Sequence, residues 1–292
     1  MGLYQNLMCA GAVVEVASYI CRRRSSKNAI VALVNLHGDI GSNSTSELYL
    51  TTMKRPIDKA FAMPDVKAVA FLMNSPGGSP FHSEELFTYI RIKAEKAKIP
   101  VHMFIEDIGA SGGYYIACAG DSIYASTHSI VGSIGVITRT FEVKGLVEKI
   151  GIKQHIFAQG KNKAGIDPFT EPDPSEVENL ITIQKNIHEE FIDVVKKRRG
   201  EKLMKIDGEL HPDLFTGKVW SGKDALTMGL IDGIGSHVPV LHDLYGDSVK
   251  LKEIKTDGGF KNMIRKLFSE VAANAIKPYI SSSALPMCRA NF

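Results

Sequence analysis

The chain of 292 residues is poor in cysteine and carries little net charge. Its four cysteines, at positions 9, 21, 118 and 288, lack Cys-x-x-Cys spacing, and no histidines cluster with them. This pattern argues against a disulfide framework and a zinc site, and we expect neither a metal nor a cofactor. The net charge is +3, and no basic stripe is interleaved with aromatic residues, which argues against nucleic acid as a partner.

The sequence also lacks an apolar run long enough for a standard membrane span. Leu7 to Ile20 is mostly apolar, but it is shorter than the roughly 20 residues a span needs and contains Glu15. The arginines at positions 22–24 follow this run, whereas a signal peptide carries its positive charge before the run. We therefore expect residues 1–28 to form a helical extension that lies on a membrane or on a neighbouring subunit, rather than a true anchor. This predicts a membrane-associated protein.

Apolar strand-like runs alternate with helical patterns through the first half of the chain. With 44% hydrophobic residues, a chain of this length can bury a substantial core. The alternation predicts an α/β fold with a mainly parallel sheet covered by helices on both faces. Strands are predicted at 30–36, 66–73, 101–105, 122–125 and 151–158, and helices at 45–62, where Pro56 is a possible kink or end, and at 80–98.

The second half contains one long predicted helix and a polar C-terminal tail. Asp173, Pro174 and Glu176 have the residue types of an N-cap, a first helical position and an acidic third position. We divide the chain into an N-terminal extension (1–28), a main domain (29–250), and a C-terminal helix with a mobile tail (251–292).

Ser111 lies between glycines where an apolar strand gives way to a helix, in the run Gly109-Ala110-Ser111-Gly112-Gly113. Glycines on both sides permit a tight or strained turn. The following helix directs its free N–H groups and positive dipole end toward the serine, so an oxyanion formed there would meet donors. The alternative interpretation is a small-residue turn that only packs closely.

A second glycine turn, Gly77-Gly78, also follows a predicted strand. Parallel sheets place ligand sites at the carboxyl ends of their strands. We therefore expect this turn and the Ser111 turn to meet at one edge of the sheet.

A nucleophilic serine needs a base within hydrogen-bond reach. His128 is one candidate, although no carboxylate is clearly placed to orient it. Lys161 and Lys163, in a polar loop after a predicted strand, are the others. A lysine works as a base only when burial and neighbouring charges keep it neutral, and lysines in polar loops are usually solvated. The residues alone leave this choice open.

Five motifs in order resemble the signal peptide peptidase A family, peptidase S49, in its short single-repeat form. The resemblance covers about residues 30–236. The motifs are Asp65-Val66-Lys67-Ala68-Val69 followed by Asn74-Ser75-Pro76-Gly77-Gly78, then Ala110-Ser111-Gly112-Gly113-Tyr114-Tyr115, then Val131-Gly132-Ser133-Ile134-Gly135-Val136, and finally Val219-Trp220-Ser221-Gly222 with Ala225-Leu226 and Gly229-Leu230-Ile231-Asp232.

The resemblance implies a serine protease of the Clp/crotonase superfold, built from repeated ββα units, with a Ser-Lys dyad. It assigns Ser111 as the nucleophile and Lys163, 52 residues later, as the general base. In the family an acidic residue usually follows that lysine, whereas this chain has Ala164-Gly165. Ser133 corresponds to the serine that orients the lysine, and the backbone N–H groups of Gly78 and Gly112 correspond to the oxyanion hole.

The resemblance also implies peptide substrates, such as residual signal peptides or other hydrophobic peptides from membranes, and a ring-like homo-oligomer. Two other classes share the fold. Clp-type proteases use a Ser-His-Asp triad, but the equivalent neighbourhood here, residues 131–136, holds no histidine. Crotonase-type acyl-binding proteins use paired N–H groups without a serine nucleophile, and a catalytically inactive scaffold is a further alternative.

Overall fold

The computed structural model describes residues 29–41, 48–160, 163 and 165–255. The predicted N-terminal extension and the C-terminal helix and tail therefore lie outside the described residues. Contacts divide the chain into two units, residues 1–254 and 255–292, and every described helix and strand belongs to the first. Among the described helices, none combines the length and apolar character needed to cross a membrane. The predicted domain boundaries stay predictions.

Ten strands are present in the described part of the chain, eight of them in one sheet. They are β1 (Ile30–His37), β2 (Val66–Ser75), β3 (Val101–Ala110), β4 (Ser122–Ala125), β5 (Ile130–Gly132), β6 (Lys205–Ile206), β7 (Glu209–Leu210), β8 (Val219–Ser221), β9 (Gly233–Ile234) and β10 (Lys250–Glu253).

Seven α-helices lie between these strands along the described part of the chain. They are α1 (Leu50–Phe61), α2 (Pro80–Ala97), α3 (Gly112–Ala117), α4 (Lys144–Lys149), α5 (Pro174–Arg199), α6 (Gly222–Thr227) and α7 (His237–Tyr245), with short 3₁₀ turns at Gly200–Lys202 and Pro212–Phe215.

The main sheet is parallel along its whole path, in the order β10-β1-β2-β3-β4-β9. The second half of β3 leaves β4 and pairs with β5, which is antiparallel to β8. The prediction of an α/β fold with a mainly parallel sheet is confirmed. The 10-residue β3 pairs with β4 in its first half and with β5 in its second half, and it ends next to Ser111 at the carboxyl edge of the sheet.

Apolar residues of the central strands alternate between two buried clusters. In β1, Val34 and Leu36 belong to the larger cluster with α1 and α2, and Val31 and Leu33 belong to a smaller cluster with Leu241 of α7. Successive side chains of a strand point to opposite faces, so both faces of the sheet are covered. Burial of the central strands on both faces fixes the strand register and therefore the position of the loops at the carboxyl edge of the sheet.

Local signals for the helices are largely confirmed. Ser79 caps α2 by accepting from the His82 N–H at 3.5 Å, and Asp173 caps α5 by accepting from the Ser175 N–H at 2.8 Å. Pro56 does not end its helix, because α1 continues to Phe61. Pro56 has no N–H to donate within the helix, but its ring is buried, and this packing offsets the free energy of the lost hydrogen bond.

The predicted strand at 151–158 is wrong. These residues form no strand, and the side chains of Ile152, Ile156 and Phe157 are 56%, 48% and 96% exposed. A β-branched run becomes a strand only where a neighbouring edge can pair with it. We call residues 137–157 the apolar segment. It also contains the exposed Phe141 and the helix α4, which buries none of its residues.

A buried ion pair joins the end of α5 to the loop before β9. Arg199 is 3% exposed, and its guanidinium donates to both carboxylate oxygens of Asp232 at 2.8 and 3.1 Å. Asp232 also accepts from the Lys202 ammonium and the Ile123 N–H. Burial disfavours the charged carboxylate, but these donors outweigh burial and hold the pKa of Asp232 below its usual range.

We expect Asp232→Asn to lower the free energy of unfolding by about 3 kcal/mol or more, because it leaves Arg199 as an uncompensated buried charge. Urea unfolding measures this. Asp213→Asn is the matched control, since Asp213 pairs with Lys218 at the surface, where solvent screens the pair and its loss should hardly change stability. A depressed carboxyl pKa stabilises the fold above the unfolded pKa, so the loss caused by Asp232→Asn should shrink as the pH falls below about 4. An equal effect of the two variants would contradict this.

Candidate active site

Ser111 lies at the corner between β3 and α3 in a strained backbone conformation. Its φ is +51°, a region that side chains other than glycine rarely adopt. The corner is held by the Ser111 N–H, which donates to the Gly132 carbonyl at 2.8 Å, and by the Ser111 carbonyl, which accepts from the Tyr115 N–H at 3.0 Å. Such strain persists only where the surrounding fold imposes it, and it is concentrated at functional sites.

The two glycine turns meet at this corner, as predicted. A Cβ atom added to Gly77, where φ is +109°, would lie 2.8 Å from Ser111 Cβ and 2.9 Å from Gly112 N. A Cβ atom on Gly112 would lie 3.4 Å from Gly78 N. The turns therefore pack at a distance that excludes side chains between them, and the backbone of both faces Ser111.

Ser133 is held near Ser111 by a backbone hydrogen bond between Ser111 and Gly132, the residue before Ser133. Gly132, whose carbonyl accepts from the Ser111 N–H, ends β5, and Ser133 follows with a φ of +52°. The Ser133 N–H donates to the Lys218 carbonyl at 2.9 Å, which fixes this residue against the chain before β8. The pairing of β3 with β5 thus brings two half-buried serines to one edge of the sheet.

The structure does not place a base against Ser111 within the described part of one chain. Lys163 is exposed, and its N–H donates to the Gly160 carbonyl at 3.1 Å. Its ammonium group makes no hydrogen bond or ion pair with another described residue. Lys161 lies outside the described residues. His128 is exposed in the turn after β4, where its N–H donates to Ser126 Oγ at 3.3 Å.

A cavity of about 310 Å³ opens beside Ser111. The backbone of Gly78 and Gly112 forms part of its wall, and Phe81, Tyr115 and Phe191 contribute aromatic rings. The cavity is lined by residues of α2, α3 and α5 at the carboxyl edge of the sheet. Its volume is large enough for one substrate side chain next to the serine hydroxyl.

Three residues that line the cavity were not predicted as site residues from the sequence: Glu84, Tyr115 and Glu190. Burial, followed by the charges of Glu84 and Glu190, raises the pKa of Tyr115 to about 12, so its phenol stays protonated at neutral pH. Phe191 lies next to Glu190 on α5 and faces the same cavity. The packing of α2 and α5 on α3 brings these residues together, and no local sequence pattern predicts that packing.

Comparisons with known proteins agree with the motifs. The profile of Peptidase family S49 matches residues 93–248. The putative signal peptide peptidase SppA of Enterococcus faecium is 30% identical over 254 residues, which cover 83% of this chain and 69% of that protein. Part of the Na(+)/H(+) antiporter NhaA of Brucella melitensis is 42% identical over 243 residues, 82% of this chain. The chain spans only about a third, 32%, of that relative.

Among solved structures, a mutant of the 1510-N membrane-bound stomatin-specific protease, in complex with a substrate peptide, aligns with a TM-score of 0.49 and 16% identity. The alignment covers 83% of this chain and 99% of that one. The family profile covers more than half of the chain, and the relative from E. faecium is matched over more than two thirds of its length. On these two matches, the chain belongs to peptidase family S49, a family of serine peptidases.

Proposed function

We propose that this protein is a serine endopeptidase in which Ser111 is the nucleophile and Lys163 is the general base. The observation that carries the proposal is the strained Ser111 corner, packed against a second glycine turn and open to a cavity. Family membership supports the reaction class. The Lys163 assignment rests on its position 52 residues after Ser111.

The proposed reaction gives each of these groups one role. Neutral Lys163 takes the proton from Ser111 Oγ, which attacks the scissile carbonyl carbon. The backbone N–H groups of Gly78 and Gly112 bind the oxyanion. The lysine then gives its proton to the leaving amine as the C–N bond breaks. Water hydrolyses the resulting ester, with the same lysine as base, and restores the serine. Ser133 positions the lysine amine by accepting a hydrogen bond from it.

We further propose that a second copy of this chain completes the site. The apolar segment leads directly toward Lys163 and exposes several large apolar side chains by more than half: Ile137, Phe141, Leu146, Ile150, Ile152 and Phe157. Exposed apolar surface of this kind is typical of a protein interface. Docking of this segment onto a neighbouring subunit would bury it and bring a lysine that is exposed in one chain into a dry site.

Phe157→Asp should therefore reduce the mass measured by light scattering and abolish peptide hydrolysis, because it places a charge within the proposed interface. Phe157 is 96% exposed in one chain, so the substitution should leave the folded subunit intact. Ile92→Asp is the matched control, since Ile92 is 53% exposed on α2, outside the apolar segment. An active wild-type monomer would contradict the proposed assembly.

The proposed substrates are hydrophobic peptides that originate in membranes, such as residual signal peptides. The aromatic cavity beside Ser111 and the name of the relative from E. faecium support this class. The region that resembles the Brucella protein spans 82% of this chain and therefore overlaps the peptidase profile. We therefore propose peptidase activity, rather than transport, for this chain. We propose that residues 1–28 hold the protein at a membrane surface. The fraction of the protein that stays with the membranes before and after a high-salt wash measures this association.

A fluorophosphonate probe tests the nucleophile directly, because it labels only an activated serine. We expect one labelled peptide, with the adduct on Ser111, in wild-type protein and none in Ser111→Ala. Labelling that persists in Lys163→Ala but disappears in His128→Ala would favour the Clp-type mechanism. Wild-type protein that is not labelled would favour an inactive or acyl-binding scaffold.

A further inference from the structure

The cavity beside Ser111 combines aromatic walls with two carboxylates. Tyr115 packs between two other rings, at centroid distances of 5.4 Å from Phe87 and 5.2 Å from Phe191. Glu84 of α2 and Glu190 of α5 line the same cavity. An apolar side chain alone would need only the rings, so the carboxylates need a separate explanation.

The carboxylates of Glu84 and Glu190 differ from those of the acidic residues next to them, which have partners. Glu85 lies 3.4 Å from the His82 ring, and Glu189 lies 3.8 Å from the Lys185 ammonium. No described residue forms an ion pair or hydrogen bond with Glu84 or Glu190. Each charge disfavours ionisation of the Tyr115 phenol, which lines the same cavity as both glutamates.

Two like charges that face one cavity repel each other, and a cation placed between them relieves that repulsion. The surrounding rings also favour a cation, because their faces carry negative potential. Lysine and arginine side chains have the complementary shape: an apolar stem that packs on rings and a charged end that stays near solvent. Both carboxylates are exposed at the cavity rim, where such a charged end would lie.

We propose that this cavity binds a lysine or arginine side chain of the peptide substrate, with the stem on Tyr115 and Phe191 and the cation between Glu84 and Glu190. This inference rests on the proposed function and deepens it by naming a positively charged residue near the scissile bond. The preferred substrates then combine an apolar stretch with a basic residue rather than being apolar throughout.

The test measures binding of fluorescent peptides to the full-length Ser111→Ala protein, so that it does not depend on turnover. Two series of apolar peptides carry either lysine or its uncharged isostere norleucine at successive positions. At one position we expect lysine to bind about tenfold more tightly than norleucine, the combined effect of two partly exposed ion pairs. That preference should decrease as the salt concentration rises, whereas norleucine binding should not.

The double substitution Glu84→Gln and Glu190→Gln should abolish the preference for lysine, so that the lysine and norleucine peptides bind with equal affinity. The matched control, Glu85→Gln with Glu189→Gln, removes the same number of charges from the adjacent positions and should keep the preference. Equal or weaker binding of lysine at every position, a preference that survives the Glu84/Glu190 substitutions, or no peptide binding at all would overturn the inference. Failure of the proposed catalytic role shows separately, as wild-type protein that the fluorophosphonate probe does not label.

Discussion

Ser111→Ala should abolish peptide hydrolysis and leave the fold intact. The substitution removes one hydroxyl group and keeps Cβ, at a corner whose shape depends on Gly77, Gly112 and the hydrogen bond to Gly132, none of which involves the serine hydroxyl. Loss of a nucleophile leaves only the catalysis that binding and oxyanion stabilisation provide, so kcat should fall by a factor on the order of 10⁴ or more.

A fluorogenic apolar peptide measures this loss, and thermal unfolding verifies that the variant is folded. Ser126→Ala is a suitable control, because Ser126 is an exposed serine after β4, the neighbouring strand of the sheet, and lies outside the cavity. It should retain activity close to that of the wild type. If purified Ser111→Ala kept more than a small fraction of the wild-type rate, Ser111 would not be the nucleophile.

Lys163→Ala and Lys163→Arg should both be inactive. Alanine removes the amine, and a guanidinium cannot lose its proton in a protein, so neither residue can accept the serine proton. Lys161→Ala and His128→Ala should stay within roughly tenfold of the wild type, since each removes a group outside the proposed proton path.

Two results would redirect this assignment. Inactive Lys161→Ala with active Lys163→Ala would move the base by two residues, and inactive His128→Ala with two active lysine variants would indicate a histidine mechanism. Ser133→Ala should weaken activity without abolishing it, because it removes only a hydrogen bond that orients the lysine.

Mixing two inactive variants tests whether the dyad forms between subunits. Ser111→Ala supplies an intact Lys163, and Lys163→Ala supplies an intact Ser111. If the lysine comes from a neighbouring copy, random assembly of equal amounts restores about a quarter of the sites. If both residues act within one chain, no mixture regains activity, and the proposal that a second copy supplies the base is wrong.

Much of the fold was predictable because its signals are local. The β-branched runs that become β1, β2 and β3 are buried on both faces, and the caps Ser79 and Asp173 lie within three residues of the N–H groups they bind. Pro56 and the 151–158 segment are the exceptions, because their outcome depends on what packs against them. Pro56 lies in the core, whereas residues 151–158 have no strand partner in the described structure.

The sequence by itself determined the strand-to-helix corner at Ser111 and the glycine turn that meets it, since glycine spacing and strand ends specify both. Only the tertiary structure decided that Glu84 and Glu190, 106 residues apart, face one cavity, because the packing of α2 and α5 on α3 depends on contacts remote in the chain. It also decided that Lys163 lies exposed in a single chain, beyond an apolar segment that the subunit itself does not bury. Local sequence patterns specify turns and strand ends, whereas the burial of a side chain and its distance from residues remote in the chain depend on the packing of the whole core.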